Sequence, residues 1–262
     1  LLPACNTQVT DGMVLHTNSP RVRRARRTNL KLLLSQHNSS CTTCIRNGNC
    51  ELQRLAHDLN IHYQPYPVQL ERSRVDLEVP IVRETSKCIK CMRCVQVCDK
   101  IQSMNIWDTV GTGVRTTVSV ANHHRLKDSD CTSCGQCVTH CPTGALTVRD
   151  DTNKVLRALA DPEITTVVQV APAVRVAWAE SFGLSQEEVS VGRMVTGLKR
   201  VGFDYVFDTN FSADLTIMEE GSEFLERFAH REDYSWPMFT SCCPGWVSFL
   251  KSQYPAYKGN LS

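Results

Sequence analysis

Long apolar runs are missing from this 262-residue chain, and no stretch approaches the roughly 18 residues that a membrane-crossing helix needs. An excess of charge of either sign is missing too. Lys and Arg number 29 against 27 Asp and Glu, a net charge of +2, and nothing in that balance asks for nucleic acid as a partner. A starting methionine is also absent: the chain opens LLPACN, so the lack of a signal peptide carries little weight. The one basic cluster, RVRRARR from Arg21 to Arg27, leads into TNLKLLLSQH and reads as the solvated face of a helix, with a docking patch for an acidic electron-transfer partner as the second reading. Cysteine is what the chain has in quantity, 14 of them. In a short secreted chain they would suggest a disulfide scaffold. In one long enough for two or more domains, with tight Cys-x-x-Cys spacing, they point to metal and to a reducing compartment.

Their positions narrow the chemistry. Residues 88–98 read CIKCMRCVQVC and residues 131–142 read CTSCGQCVTHCP. Both are Cys-x2-Cys-x2-Cys-x3-Cys, the bacterial ferredoxin pattern, in which three thiolates of one loop hold a 4Fe–4S cube and the fourth cysteine serves the other cube. That rule assigns Cys88, Cys91, Cys94 and Cys141 to one cluster, and Cys131, Cys134, Cys137 and Cys98 to the second. Three cysteines in seven residues, twice over, exceed what tetrahedral zinc requires. Asp99 follows Cys98 where the pattern has proline, which stands only after Cys141. The 32 residues between Cys98 and Cys131 are long for this arrangement and are expected to form a surface excursion.

Residues 37–50, HNSSCTTCIRNGNC, set His37 ahead of Cys41, Cys44 and Cys50. Imidazole can replace thiolate at iron. Alone, His37 reads equally well as a helix-end histidine; in this company it supplies the fourth ligand. The segment resembles the cluster module of one histidine and three cysteines shared by FeFe-hydrogenases and the large iron–sulfur subunit of respiratory complex I. His57, His62, His123, His124, His140 and His230 lack such neighbours and read as ordinary polar residues. Cys5, in LPACNTQVTDGM, resembles the last ligand of a plant-type 2Fe–2S domain, which implies that the other three ligands lie upstream and that the chain begins mid-domain. Only Cys242 and Cys243, in TSCCPGW, then remain.

From about Asp161 the texture changes. ITTVVQVAP (164–172) and FDYVFDT (203–209) read as strands, EEVSVGRMVTGLKRVG (187–202) as a helix with Val191, Met194, Val195 and Leu198 on one face, and residues 211–231 as another helix. PMFTS (237–241) reads as a short strand and PGWVSFLKSQ as a helix with Pro244 in its first turn. Alternation of this kind argues for a parallel α/β layer with its reactive crevice beyond the strand ends, which carry APAVR, DTNFS and Cys242-Cys243. Adjacent cysteines point apart in extended chain and cannot grip one ion together. On a wheel of about 100° per residue, Ile217, Met218, Phe224, Leu225 and Phe228 make the apolar face of the 211–231 helix. Glu220, Glu223 and Arg227 fall at its border, where burial can raise a carboxyl pKa. Periodicity alone favours an ordinary i,i+4 salt bridge there.

VAPAVR, FDTNFSADLTIMEEGSEFLER and TSCCPGW together resemble the N-terminal half of the FeFe-hydrogenase catalytic domain. The resemblance implies the reaction 2H⁺ + 2e⁻ ⇌ H₂ and a catalytic cluster, a 4Fe–4S cube joined to a two-iron subsite. It implies Cys243 as a ligand of that cube, Cys242 as terminal proton donor, Glu220, Glu223, Arg227 and Ser262 as relay and gate, and Pro172 and Ala173 as cofactor-binding. It also implies sensitivity to O₂. The family's further signature segments have no counterpart before Ser262, so the chain is expected to be an N-terminal and central portion, inactive alone. The fold expected is α+β and α/β multidomain: the end of a 2Fe–2S plant-type ferredoxin domain (1–20), a 4Fe–4S domain with one histidine and three cysteine ligands (21–70), a two-cluster ferredoxin-like domain (78–157), and the first half of a parallel α/β catalytic domain (161–262). Expected partners are a ferredoxin or an NAD(P)H-oxidising redox subunit, in a cytoplasm or a hydrogenosome-like organelle. The rival reading is an electron-relay subunit of a complex-I-like or formate-oxidising assembly, which residues 1–150 fit equally well. A weaker third is an iron–sulfur assembly or sensory protein.

Overall fold

Proline and serine open the first helix. In the computed structural model, which describes residues 1–70, 75–121 and 124–262, helix α1 spans Pro20–Ser35, with Pro20 in its first turn and the Ser19 hydroxyl accepting the Val22 N–H at 3.4 Å. His123 lies outside the described residues. The chain divides into two units, Leu1–Arg149 and Asp150–Ser262.

In the first unit the arginines of α1 are mostly exposed while Leu30 and Ser35 are buried, so the basic cluster is a solvated face. Helix α2 (Glu51–Asp58) starts at Cys50 with Glu51 in its first turn, where a negative charge suits the helix dipole. Strand β1 (Ile81–Arg83) is followed by the short helix α3 (Arg93–Gln96), which runs into a π-helical turn at Val97–Ile101. Then come β2 (Trp107–Val110), β3 (Thr117–Val120), helix α4 (Gln136–Thr139) and β4 (Leu146–Val148). β1 pairs antiparallel with β4, and β2 with β3.

The stretch between Cys98 and Cys131 is a surface excursion only in part, with residues 111–115 exposed. Its hairpin lies in the core: every residue of β3 is buried and Trp107 is only 2% exposed. Arg83 of β1 donates to the Val118 carbonyl, and its guanidinium stands 5.9 Å from the Trp107 ring centroid, which joins the hairpin to the β1–β4 pair. Alternation of Trp107, Val118 and Val120 with small polar residues was the available signal.

The second unit begins with α5 (Thr152–Leu159), then β5 (Val167–Val170) and α6 (Pro172–Ala177). Helix α7 (Val191–Val201), β6 (Tyr205–Asp208), α8 (Thr209–Ala229) and α9 (Pro244–Gln253) follow. β5 and β6 pair in parallel, Val167 opposite Tyr205 through Val170 opposite Asp208, as strands joined through helices must. Asp204 fastens the start of β6 to β5 by accepting the Thr166 N–H at 2.6 Å and its hydroxyl at 2.8 Å.

On α7 the expected apolar stripe is the covered one, with Met194 buried and Val191, Val195 and Leu198 half-buried. The helix starts later than expected because Ser190 caps it, accepting the Arg193 N–H at 3.2 Å, and it stops at Gly202, whose φ of 122° a side chain would oppose. Helix α8 starts two residues early because Asp208 caps it by accepting the Asn210 N–H at 3.1 Å. PMFTS forms no strand with β5 or β6; only Phe239 pairs, in a single parallel bridge to Leu261. Among the described residues no helix is long and apolar enough to cross a membrane.

Trp107→Ala should therefore lower the unfolding free energy by about 3–5 kcal/mol. Val114→Ala, at an exposed position in the same stretch, should stay within about 0.5 kcal/mol. Urea midpoints measured on both variants check the pair, and equal effects would return the hairpin to the surface.

Candidate functional site

The two ferredoxin-like loops fold alike because both turn left-handed at the same two places. Lys90 and Met92 have φ of 56° and 61°; Ser133 and Gly135, at the matching positions, have 55° and 75°. Each turn aims a backbone N–H at a sulfur: Lys90 at Cys88 Sγ and Ser133 at Cys131 Sγ, both at 3.4 Å. One pocket is lined by Cys88, Cys91, Cys94 and Cys141, the other by Cys98, Cys131, Cys134 and Cys137, and Trp107 lines both. Cys98 and Cys141 have thus crossed from their own loops. Burial pushes the Cys94 thiol up to about 12 and the Cys137 thiol up to about 11. Burial also raises Cys88 and Cys131, opposed by those same N–H groups. Such thiols ionise readily only when a bound metal supplies positive charge.

A third pocket is lined by His37, Cys41, Cys44 and Cys50, with Leu34 and Leu52 on its apolar side. His37 is 8% exposed, and its Nδ1 is buried with no hydrogen-bond partner. Burial lowers its pKa and favours the neutral imidazole, the form that ligates metal; a hydrogen bond to the Lys87 backbone opposes this in part. Gly144 closes the pocket from the ferredoxin-like side, and a Cβ there would fall 2.9 Å from Cys44 Sγ. All 14 cysteines are free thiols. Among the described residues no three or more His, Cys, Asp or Glu converge on a single ion site. Donors spread round a pocket suit a cube, which takes each ligand at a separate corner. Cys5 is exposed, and residues 1–40 contain no second cysteine, so they do not fit a 2Fe–2S group.

In the second unit Cys242 and Cys243 are exposed, and Cys243 immediately precedes Pro244 at the start of α9. The Cys243 N–H donates to Ser241 Oγ at 3.1 Å. Just upstream, Phe239 donates its N–H to the Asn260 carbonyl at 2.8 Å and accepts the Ser262 N–H at 2.9 Å. That pairing delivers Ser262 to α8. Its hydroxyl donates to one Glu223 carboxylate oxygen, Arg227 donates to the other, and Arg227 also donates to the Leu261 carbonyl at 3.0 Å. Glu220 lies on the same half-covered stripe of α8 as Glu223 and Arg227, whereas Phe211, Ile217, Met218 and Leu225 are each more than two-thirds exposed.

The i,i+4 salt bridge that periodicity favours at the border of α8 forms between Glu223 and Arg227, and burial there does not leave the carboxyl raised. Instead the Ser262 hydroxyl, with the Arg227 guanidinium behind it, holds Glu223 below the usual carboxylate value against an opposing effect of burial. Pro172 and Ala173 occupy the first turn of α6, directly after β5, both exposed. Sequence reasoning missed the ion pair beside them: Arg175 reaches Asp208 at 3.1 Å and links the ends of β5 and β6. Both residues lie in segments that end strands, and their opposite charges were the unused signal. Asn260 was missed as well; it is buried and donates to the Pro237 carbonyl at 2.8 Å.

Residues 164–262 match the family described as iron only hydrogenase large subunit, C-terminal domain. NADP-reducing hydrogenase subunit HndD of Solidesulfovibrio fructosivorans is 46% identical over 260 residues, 97% of this chain and 44% of that protein. The chain belongs to the iron-only hydrogenase large-subunit family. Iron hydrogenase 1 of Clostridium pasteurianum is 34% identical over 268 residues, all of this chain and 46% of that protein. The chain therefore spans a little under half the length of both relatives. Residues 26–65 match the NADH-ubiquinone oxidoreductase-G iron-sulfur binding region, and residues 87–145 a 4Fe-4S dicluster domain. The alpha subunit of NADPH-Fe(3+) oxidoreductase of Geobacter sulfurreducens is 34% identical over 146 residues, 55% of this chain and 17% of that protein. This family member is an iron–sulfur oxidoreductase with 4Fe–4S regions, related both to FeFe-hydrogenases and to the iron–sulfur subunits of NAD(P)H oxidoreductases.

Because Glu223 is held low, its contribution to stability should be complete above the usual value of 4.5 and should fade as pH drops through the lowered folded value. Glu223→Gln should flatten that part of a plot of urea midpoint against pH between about 5 and 3, and Ser262→Ala should move it back toward the usual carboxylate value. A wild-type profile unchanged in both variants would remove the pair's linkage.

Proposed function

We propose that the chain is the electron-relaying and proton-delivering part of a hydrogenase that catalyses 2H⁺ + 2e⁻ ⇌ H₂. Cys88, Cys91, Cys94 and Cys141 hold one 4Fe–4S cluster, Cys131, Cys134, Cys137 and Cys98 a second, and His37, Cys41, Cys44 and Cys50 a third. The clusters supply one-electron carriers at low potential, fed by a ferredoxin or an NAD(P)H-oxidising subunit; HndD, by its name, belongs to an NADP-reducing hydrogenase. The protein's part is to bury and space the thiols, to keep His37 neutral, and to exclude water with Trp107.

The observation that carries hydrogen chemistry, rather than relay alone, is the Ser262–Glu223–Arg227 cluster tied by Phe239 to the segment that ends in Cys242. A hydroxyl between a carboxylate and a thiol-bearing loop can accept a proton on one side and release one on the other. Glu223 Oε2 takes the proton when the Arg227 contact lengthens, Ser262 Oγ passes it along the stripe that includes Glu220, and Cys242 Sγ holds it last. Cys243, at the N-terminus of α9, is placed to ligate a cube, since the free N–H groups of a helix end favour an anionic ligand. A cube takes four ligands and residues 150–262 hold two cysteines, so these residues do not enclose the catalytic cluster by themselves.

The second reading, a relay subunit, rests on the first unit's match to the NADH-ubiquinone oxidoreductase iron–sulfur region. Two measurements separate the readings. Cys98→Ser should deplete the cluster of the 131–137 loop and Cys141→Ser that of the 88–94 loop, each seen as loss of one spectroscopic signal from about twelve irons; the opposite assignment overturns the crossing. In the natural full-length protein Cys242→Ala should leave iron content unchanged and lower H₂ turnover by about 100-fold or more. Unchanged turnover would leave only the relay, and loss of iron would make Cys242 the ligand.

A further inference from the structure

Arg46 joins two of the pockets. It lines the pocket of His37, Cys41, Cys44 and Cys50, and its Nη2 donates to the carbonyl of Cys141, a residue of the next pocket, at 3.4 Å. Its Nε is buried with no hydrogen-bond partner, and among the described residues no carboxylate forms an ion pair with it. Lys87, in the same region, is different: Glu84 neutralises it at 2.7 Å. A partly buried cation without a counterion is costly unless something anionic completes the site.

A cluster held by thiolates is that anion, and each reduction adds one negative charge beside the guanidinium. We propose that Arg46 sets the reduction potentials of the clusters in the His37 pocket and the Cys88 pocket, raising both. The inference rests on the ligand reading above and is independent of hydrogen chemistry. Net charge and hydrogen bonding around a cluster are established levers on its potential. Arginine suits this position because it stays charged in a partly buried site and its fork reaches both a carbonyl and a pocket. Gly144 keeps the two pockets in contact from the other side, since any side chain there would displace Cys44 Sγ.

The test is a redox titration followed by electron paramagnetic resonance on the full chain reconstituted with iron and sulfide. Arg46→Met should lower the potential of both neighbouring clusters, changing the reduced-to-oxidised ratio at a fixed potential about tenfold, or 59 mV for a one-electron couple. Arg46→Lys, which keeps the charge, should restore most of that. The cluster of Cys98, Cys131, Cys134 and Cys137, whose pocket Arg46 does not line, should move less than about twofold. Unmoved potentials in Arg46→Met with iron retained, or equal shifts in the Met and Lys variants, would overturn the proposal. If Arg46→Met loses iron, Arg46→Gln carries the same expectation and the same failure. An unsubstituted chain that binds no iron would instead sink the ligand reading.

Discussion

Cys98 and Cys141 each serve the pocket of the other loop, and this exchange is the constraint on which the first unit depends. Neither loop can close its own pocket, so both must fold together. α3 and α4 then stay short, the chain between the loops returns over the pockets, and β4 comes back to pair with β1. Trp107 lies against both pockets because something large and apolar is needed where two sets of buried thiols approach. The raised thiols show the cost: without metal, burial keeps Cys94 and Cys137 protonated. On the proposed ligand reading, folding and metal loading would be coupled here, as they are wherever a site's ligands must lose protons.

The second unit shows the opposite balance. α8 turns its charged border, not its apolar face, toward the protein around it. Glu223 and Arg227 are half-covered, while Phe211, Ile217 and Met218 are bare. Part of the aromatic surface gathers on Trp236, whose ring lies 6.1 Å from Phe224 and 6.4 Å from Phe228. On the charged side Glu223 and Arg227 meet residues 261–262, and the Asp208 cap fixes the start of the helix.

Spacing made the grouping of the cysteines round the pockets legible, because a motif of fixed intervals is local, and the left-handed turns at Lys90, Met92, Ser133 and Gly135 repeat where the motif repeats. The α7 stripe was legible for the same reason: its period is local. What sequence alone did not reveal depends on contacts far apart in the chain. The hairpin around Trp107 looked like an insertion because its partner, Arg83, lies outside it. The Arg175–Asp208 pair joins residues 33 apart, and Arg46 meets Cys141 across 95. Phe239 failed as a strand because its pairing partner is Leu261, not β5 or β6. The wheel made the Glu223–Arg227 salt bridge legible at the border of α8, but it could not show the Ser262 hydroxyl that also meets the carboxylate.

That hydroxyl changes what the carboxylate can do. A relay carboxyl works best when its pKa sits near the operating pH, yet Glu223 is held low by two donors. Arg227 is itself constrained: its side chain is 11% exposed, it donates to the Leu261 carbonyl, and its guanidinium lies 5.4 Å from the Tyr234 ring centroid. In this arrangement the cluster favours the ionised carboxylate, so a proton arriving at Glu223 is not retained. In the proposed relay, uptake would require the Ser262 hydroxyl to turn from donor to acceptor and the guanidinium to withdraw, and the Leu261 carbonyl and Tyr234 ring would still pair it. On the proposed reading, the three residues that favour the ionised carboxylate at neutral pH would also set the threshold for proton passage, and the salt bridge would be the resting state of the relay.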